Sequence, residues 1–260
     1  MSEQRVRIDR EADGRVAVVV LTRPEKHNAL DRPMFDAIDG ATREIRTLAE
    51  AGEISAVVLR GEGKSFCSGL DIAAIVGDGA DFAGSAGALL QKDAGDIANL
   101  VQRVGYHWKA VPVPVIAALH GNVLGGGLQI ALGADIRIAA PDAKLSIAEV
   151  RWGLIPDMGL TTALPKLIGI DHAKELTFTG RNVSGEDAAR IGLVTRTAED
   201  PAAEALALAT EIAGKSPLAI VRAKALFDTV WEASDEQRLA TEERLQREIL
   251  DAIAAAAAAG

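Results

Sequence analysis

The chain has 260 residues, 48% of them hydrophobic and 25% charged, with a formal net charge of −9 and one cysteine, Cys67. This length supports one sizeable core with an appended element, and no uninterrupted apolar stretch reaches membrane length. The acidic balance argues against a general affinity for nucleic acid or an anionic membrane, and a lone cysteine excludes an internal disulfide.

Residues 1–15 are polar and charged, which predicts no signal peptide and a cytoplasmic location. The apolar run Val16–Leu21 reads as a strand, and Met34–Ala49 carries a helical pattern. Ile54–Leu59 is a second strand, followed by KSFCSGLDI at 64–72 and by a Gly-, Ala- and Asp-rich loop over 77–95. A helix is expected over Ile97–Trp108, then strands at Val115–Leu119 and Ile136–Ala139, so the class is α/β. Beyond Asp200 the strands stop, and Pro201–Lys215, Pro217–Trp231 and Asp235–Ala259 read as helices. The closing alanine run, 254–259, is a good helix former without chemistry.

The strand at Val115 runs into Gly125, Gly126 and Gly127, which open a helix. With no Cβ in the way and the first helical amides unpaired, such a turn can hold an oxygen carrying negative charge. A nucleotide phosphate is disfavoured, because Leu128 and Gln129 follow the glycines where a P-loop has Lys and Ser or Thr. GEGKS at 61–65 has Val58 where a Walker motif needs glycine, and 121–127 lacks the G-x-G-x-x-G spacing. A serine esterase needs G-x-S-x-G, but AGSAG at 83–87 begins with Ala83. What remains is an enolate or thioester oxyanion, with a second amide offered by the turn after the Ile54–Arg60 strand.

SFCSGLDI paired with AALHGNVLGGG, and preceded by LTRPEKHNAL at 21–30, resembles the crotonase superfamily of enoyl-CoA hydratases and isomerases. The likeness runs from Val16 to Val230 and includes SIAEVRWGLIPDMG at 146–159 and ELTFTGRNVSGEDAARIGLV at 175–194. It implies an α/β spiral of ββα repeats over 1–200 that binds acyl-CoA and performs catalysis, and a C-terminal helical trimerisation region over 201–260. The expected assembly is a homotrimer or a dimer of trimers. The expected partner is an acyl-CoA thioester, with CoA part of the substrate, no separate cofactor, no metal, and neither nucleic acid nor membrane. The resemblance gives the oxyanion amides to Leu70 and Gly126, and CoA or substrate binding to Lys26, Ser68, Asp71, Ile72 and Gly125. It also places the 77–95 loop over the acyl site and lets Trp152, Met158 and Leu160 shape the acyl pocket. Arg23 and Lys26 are candidate cations for CoA, since the alanine-rich terminus lacks the basic segment common in the family.

Hydratases of that superfamily use two glutamates, one four residues after the first glycine of the run and one twenty residues further on. Here those positions hold Gln129 and Glu149. An amide cannot exchange a proton near pH 7, so acid–base work rests on Glu149 and another group. Asp157 resembles the aspartate that dienoyl-CoA isomerases place near the reacting carbons, although those enzymes carry an acid where this chain has Gln129. The Glu–Asp spacing also resembles 3-hydroxyisobutyryl-CoA hydrolases, and the structural alternative makes Asp157 a turn residue capping the next helix. The leading expectation is a 3-enoyl- or dienoyl-CoA isomerase that moves a proton through Glu149. The alternatives are an inefficient enoyl-CoA hydratase with Gln129 orienting water, a hydroxyacyl-CoA thioester hydrolase, and a non-catalytic acyl-CoA binding protein. His27, His107, His120 and His172 show no metal-ligand spacing, and Cys67 reads as a small buried residue.

Overall fold

The computed structural model describes residues 4–76, 84, 87 and 89–259. Residues 77–83, 85, 86 and 88 of the 77–95 loop, and with them Ala83, Ser85 and Ala86 of the AGSAG stretch, lie outside the described residues. Among the described residues nine strands form two sheets: β1 (Val6–Glu11), β2 (Val16–Leu21), β3 (Ala56–Gly61), β4 (Val115–Leu119), β5 (Asn122–Leu124), β6 (Ile136–Ala139), β7 (Lys144–Ser146), β8 (Val183–Ser184) and β9 (Arg196–Thr197). The large sheet has the order β1-β2-β3-β4-β6-β9 and the small one β5-β7-β8. From β4 onward the chain steps between them, β4 to β5 and β6 to β7, with helices between. This is the spiral of ββα repeats.

Every pairing in the large sheet is parallel except β1 with β2. A parallel sheet covered on both faces produces continuous apolar runs, which is why β2 and β4 stand where the sequence places them; β6 stands there too, interrupted only by Arg137. One face carries Val16, Val18, Val20, Ala56, Val58, Ile116, Ala118 and Ile138. The other sends Ala17, Val19, Leu21, Val57, Leu59, Val115, Ala117 and Leu119 into the main core. β3 begins at Ala56, two residues later than its apolar run, and Ser55 N just before it donates to Arg15 O at 2.8 Å. β1 is a strand in a segment that reads only as polar, since an edge strand needs just one dry face.

The helices are α1 (Arg32–Glu50), α2 (Ile72–Val76), α3 (Leu100–Tyr106), α4 (Gly126–Leu132), α5 (Ile170–Thr179), α6 (Gly185–Arg190), α7 (Pro201–Ala213), α8 (Pro217–Val230) and α9 (Asp235–Ala259). Asp31 caps α1 by accepting from Met34 N at 2.9 Å, and Pro33 stands in its first turn, where a missing N–H costs nothing. Its buried stripe of Met34, Phe35, Ile38, Ala41, Ile45 and Ala49 packs into the main core. α3 starts at Leu100 rather than at Ile97 because Asn99 and Gln102 form a capping box.

The C-terminal helical region divides into two parts. α7 lies on the Val16, Val18 and Ile138 face of the large sheet, away from the main core, where Ala205, Ala209 and Ala213 recur every fourth residue and let the backbone come close. α8 is tied to the core by the ion pair of Lys224 with Asp135, and α9 to α8 by Arg222–Glu248 at 2.8 Å. Phe227, Trp231, Leu239, Leu250 and Ile253 on this pair and the turn between them stay exposed in the single chain. Among the described residues no helix is long and apolar enough to cross a membrane.

Candidate active site

Two turns that are far apart in sequence are stitched into one seam. Cys67 bridges Val123, with Cys67 N donating to Asn122 O at 3.1 Å and Leu124 N to Cys67 O at 3.0 Å. Leu70 bridges Leu30, through Leu30 N to Gly69 O at 2.8 Å and Asp71 N to Leu30 O at 3.0 Å. The seam tolerates no side chain at Gly69, whose φ is +88° and whose Cβ would stand 2.7 Å from Leu124 O and 3.5 Å from Gly126 N. The Gly69–Leu70 peptide therefore lies beside the start of α4. The amides of Leu70 and Gly126 have no acceptor among the described residues. Gly126 packs under Leu30 and Met158, each with an atom 2.8 Å from where its Cβ would be. Gly125 N is held by Ser146 O at 2.8 Å, which fixes the turn to β7.

Glu149 follows β7 at the start of a 3₁₀ turn, Glu149–Trp152, and its carboxyl group lies against Gly125. Gln129, almost fully buried on α4, donates from Nε2 to Glu149 Oε1 at 2.7 Å and accepts from Met158 N at 2.8 Å. Glu149 Oε2 is closed to solvent and has no hydrogen-bond partner among the described residues. Loss of hydration pushes the Glu149 carboxyl above its ordinary range; its own backbone amide and Gln129 oppose this, and the charge of Asp157 adds to it. Asp157 is raised as well, chiefly by desolvation, although its side chain is exposed at the rim in the single chain. The capping alternative for Asp157 does not hold. The following 3₁₀ turn, Leu160–Thr162, begins from Gly159 without a side-chain cap.

The sequence pattern of the enoyl-CoA hydratase/isomerase family matches residues 11–255. This chain belongs to the enoyl-CoA hydratase/isomerase family, within the crotonase superfamily. It is 35% identical over 237 residues to a short-chain-enoyl-CoA hydratase of Clostridium acetobutylicum, covering 89% of this chain and 85% of that one. It is 35% identical over 217 residues to the mitochondrial Δ(3,5)-Δ(2,4)-dienoyl-CoA isomerase of Mus musculus, covering 82% of this chain and 65% of that one. The crystal structure of an enoyl-CoA hydratase from Bacillus anthracis superposes with a TM-score of 0.84 at 28% identity, covering 95% of this chain and 92% of that one. Its relatives thus include both hydratases and an isomerase.

For this family member the remaining candidates fall into distinct places. Arg23, a candidate CoA cation from sequence, is corrected to a structural residue: it is buried and donates to Asp71 Oδ2 at 2.7 Å and Ala29 O at 3.0 Å. Asp71 also accepts from Ala74 N at 3.0 Å in the first turn of α2, which Ile72 opens. Burial pushes the Asp71 carboxyl up, but the Ala74 amide and Arg23 outweigh it and hold the group below its ordinary range. Lys26 is exposed on the 3₁₀ turn Pro24–Lys26, and Ser68 N donates to His27 O at 2.9 Å beside it. Met158 lies at the site, Leu160 is buried in the core, and Trp152 is exposed in the single chain.

His27 contacts Ser65 Oγ and His120 contacts Gly63 O, each at 3.0 Å, so both ring nitrogens serve loop structure. Cys67 is fully buried, and desolvation pushes its thiol up to about 12, leaving it inert. Among the described residues no group of three or more His, Cys, Asp or Glu side chains could hold a metal ion. Sequence reading missed Asn28, which is fully buried at φ +55°. Its Nδ2 donates to Glu62 O, Ser65 O and Phe66 O, and its Oδ1 accepts from Arg23 N, so it fastens the loop before Leu30 to the turn that ends at Leu70. An asparagine in a short polar loop is the one available signal, since it tolerates the left-handed region.

Proposed function

We propose that this protein shifts the double bond of an enoyl-CoA thioester, with Glu149 moving the proton and the amides of Leu70 and Gly126 holding the thioester oxygen. The observation that carries the reading is the Glu149 carboxyl packed against Gly125, with Oε1 held by Gln129 and Oε2 buried and unpartnered among the described residues, in a site whose second acid–base position holds Gln129. A carboxyl group raised above its ordinary range is suited to take and return a proton near neutral pH.

For a 3-enoyl-CoA the C2–H bond breaks, its electron pair forms the C1–C2 double bond of a dienolate, and the negative charge develops on the thioester oxygen. Two amides aimed at that oxygen stabilise this state more than the neutral thioester. Protonated Glu149 then returns a proton to C4 while the π electrons settle between C2 and C3. The cycle is redox-neutral, so CoA enters only as part of the substrate. Hydration by two carboxylates acting on one water is less well supported, because an amide cannot supply the second acid or base.

A second reading, a 3,5-dienoyl-CoA substrate, is favoured by Asp157, whose charge acts on Glu149 and whose own carboxyl is raised. A proton could then leave toward one carboxylate and return from the other. We assign the acyl-CoA site to residues 1–200 and self-association, as a trimer or dimer of trimers, to 201–260, supported by the exposed apolar side chains of α8 and α9. Lys26, Ser68 and Ile72 are proposed to line the CoA entrance, and the proposed setting is the cytoplasm.

The test is incubation of the pure protein with saturated, 2-enoyl, 3-enoyl, 3,5-dienoyl and 3-hydroxyacyl-CoAs in heavy water, with products and label positions read by mass spectrometry. Isomer without hydrate supports the proposal. A hydrated product as the main outcome, free CoA, or binding without any exchange would each overturn it in favour of a hydratase, a hydrolase or a binding protein.

A further inference from the structure

Gln129 is an amide where acid–base chemistry needs an acid, yet it is 2% exposed and both ends of its side chain are in use. The orientation of the amide follows from its neighbours. The Met158 backbone N–H can only donate and the ionised Glu149 carboxylate can only accept, so Oε1 must face Met158 and Nε2 must face Glu149. A chain of two aligned hydrogen bonds results, 2.8 Å then 2.7 Å, each polarising the next.

This arrangement makes the two oxygens of Glu149 unlike. Oε1 is held by Gln129 and pressed toward Gly125, whose Cβ would lie 3.2 Å away. Oε2 is buried with its lone pairs unanswered by any described residue. A buried acceptor left open is costly unless something else uses it, and Oε2 belongs to a carboxyl group packed against Gly125, at the turn whose next residue, Gly126, has an unpaired amide. The same Gln129 side chain grips the backbone one residue after Asp157, so it fixes the relation between the two carboxylates on the 146–159 segment.

We propose that Gln129 is a positioning residue that commits Glu149 to a single working oxygen, Oε2, and locks the Asp157 turn at a set distance from it. The inference rests on Glu149 being the proton carrier. It predicts that a glutamate at position 129, as in two-glutamate hydratases, cannot replace glutamine here: an ionised carboxylate offers no hydrogen to Glu149, and the two acids must share a proton.

The experiment uses the full chain with Gln129→Met, which keeps length and loses both hydrogen bonds, and Gln129→Glu, which keeps the acceptor for Met158 N. The Glu149 carboxyl is followed by carbon-13 NMR in the ligand-free protein, assigned by its absence in Glu149→Gln, and kcat and KM are measured against pH on an enoyl-CoA. In Gln129→Met the Glu149 titration should move to higher pH, the pH profile of kcat/KM should move with it, and kcat should fall about tenfold to a hundredfold with little change in KM. In Gln129→Glu the single titration should become two coupled steps. A folded Gln129→Met with an unmoved Glu149 titration, or a moved titration with kcat unchanged at every pH, would overturn the proposal. The titration needs no substrate, so a protein that isomerises none of the enoyl-CoAs would sink the proton-carrier reading while the NMR still decides whether Gln129 holds Glu149.

Discussion

Gly125 and Glu149 meet more tightly than a side chain at Gly125 would ordinarily allow: a Cβ there would stand 3.2 Å from Glu149 Oε1 and 3.6 Å from Cδ, so the carboxylate would have to give way by a few tenths of an ångström. Gly125 also holds φ +50° and ψ −119°, a region that side chains other than hydrogen rarely enter. Gly125→Ala should therefore cost stability and misplace the carboxylate at once. The expected loss is about 1–3 kcal/mol from backbone strain. It would appear as a fall in melting temperature of about 2–4 °C per kcal/mol. Turnover should drop by about a hundredfold, as for a catalytic group displaced by an ångström. Calorimetry and steady-state kinetics on the same sample separate the two.

The raised carboxyl of Glu149 also makes a statement about stability. Its folded-state pKa lies above its unfolded one, so between the two values the folded chain binds more protons, and stability falls as pH rises through that window. The charged form is the strained one. Glu149→Gln should melt higher than the wild type at pH 7, with the gain fading as pH drops below the ordinary glutamate range, while activity falls by about two to four orders of magnitude. Melting curves from acid to neutral pH check the sign, and a variant less stable than wild type at pH 7 would contradict it.

Away from the site, Arg103 gathers Asp39, Asp93 and Asp96 at 3.2, 2.8 and 3.2 Å, with Arg103 and Asp39 both buried. It fastens the end of the segment before α3 to α1. Without Arg103, Asp39 Oδ1 loses its buried cation while Oδ2 keeps its bond from Arg43 at 2.7 Å, so Arg103→Met should cost about 1–3 kcal/mol in denaturant unfolding. Pairing it with Asp39→Leu should recover most of that loss, because two apolar groups leave no buried charge behind. An additive double mutant would show that the pair is not coupled.

The exposed Phe227 and Trp231 give a test of self-association. Phe227→Glu with Trp231→Glu should shift the protein toward monomer in sedimentation velocity while leaving helix content unchanged. An unaltered assembly would place the interface elsewhere.

The parts of the fold that were legible in the sequence are those whose burial is two-sided. β2 and β4 are apolar throughout because each is covered above and below, and β6 departs only at Arg137, buried on bonds to Leu193 O and Ala134 O, whereas β1 reads Val-Arg-Ile-Asp-Arg-Glu and hides its strand behind a solvated face. At the site, the glycine run and the spacing to Glu149 are local enough to read. The hydrogen bond between Gln129 and Glu149, the Met158 amide that orients it, and the burial of Arg23 against Asp71 all depend on how distant segments meet. Asp157 shows the limit of motif spacing: its place eight residues past Glu149 was readable, but its exposure at the rim and its failure to cap were not.

The central claim, proton transfer through Glu149, is tested most directly by comparing wild type with Glu149→Gln for conversion of a 3-enoyl-CoA to its 2-enoyl isomer, followed by mass spectrometry. The prediction is that wild type forms the isomer, while Glu149→Gln binds the ester and forms it about two to four orders of magnitude more slowly. A folded Glu149→Gln that isomerises at the wild-type rate would contradict it.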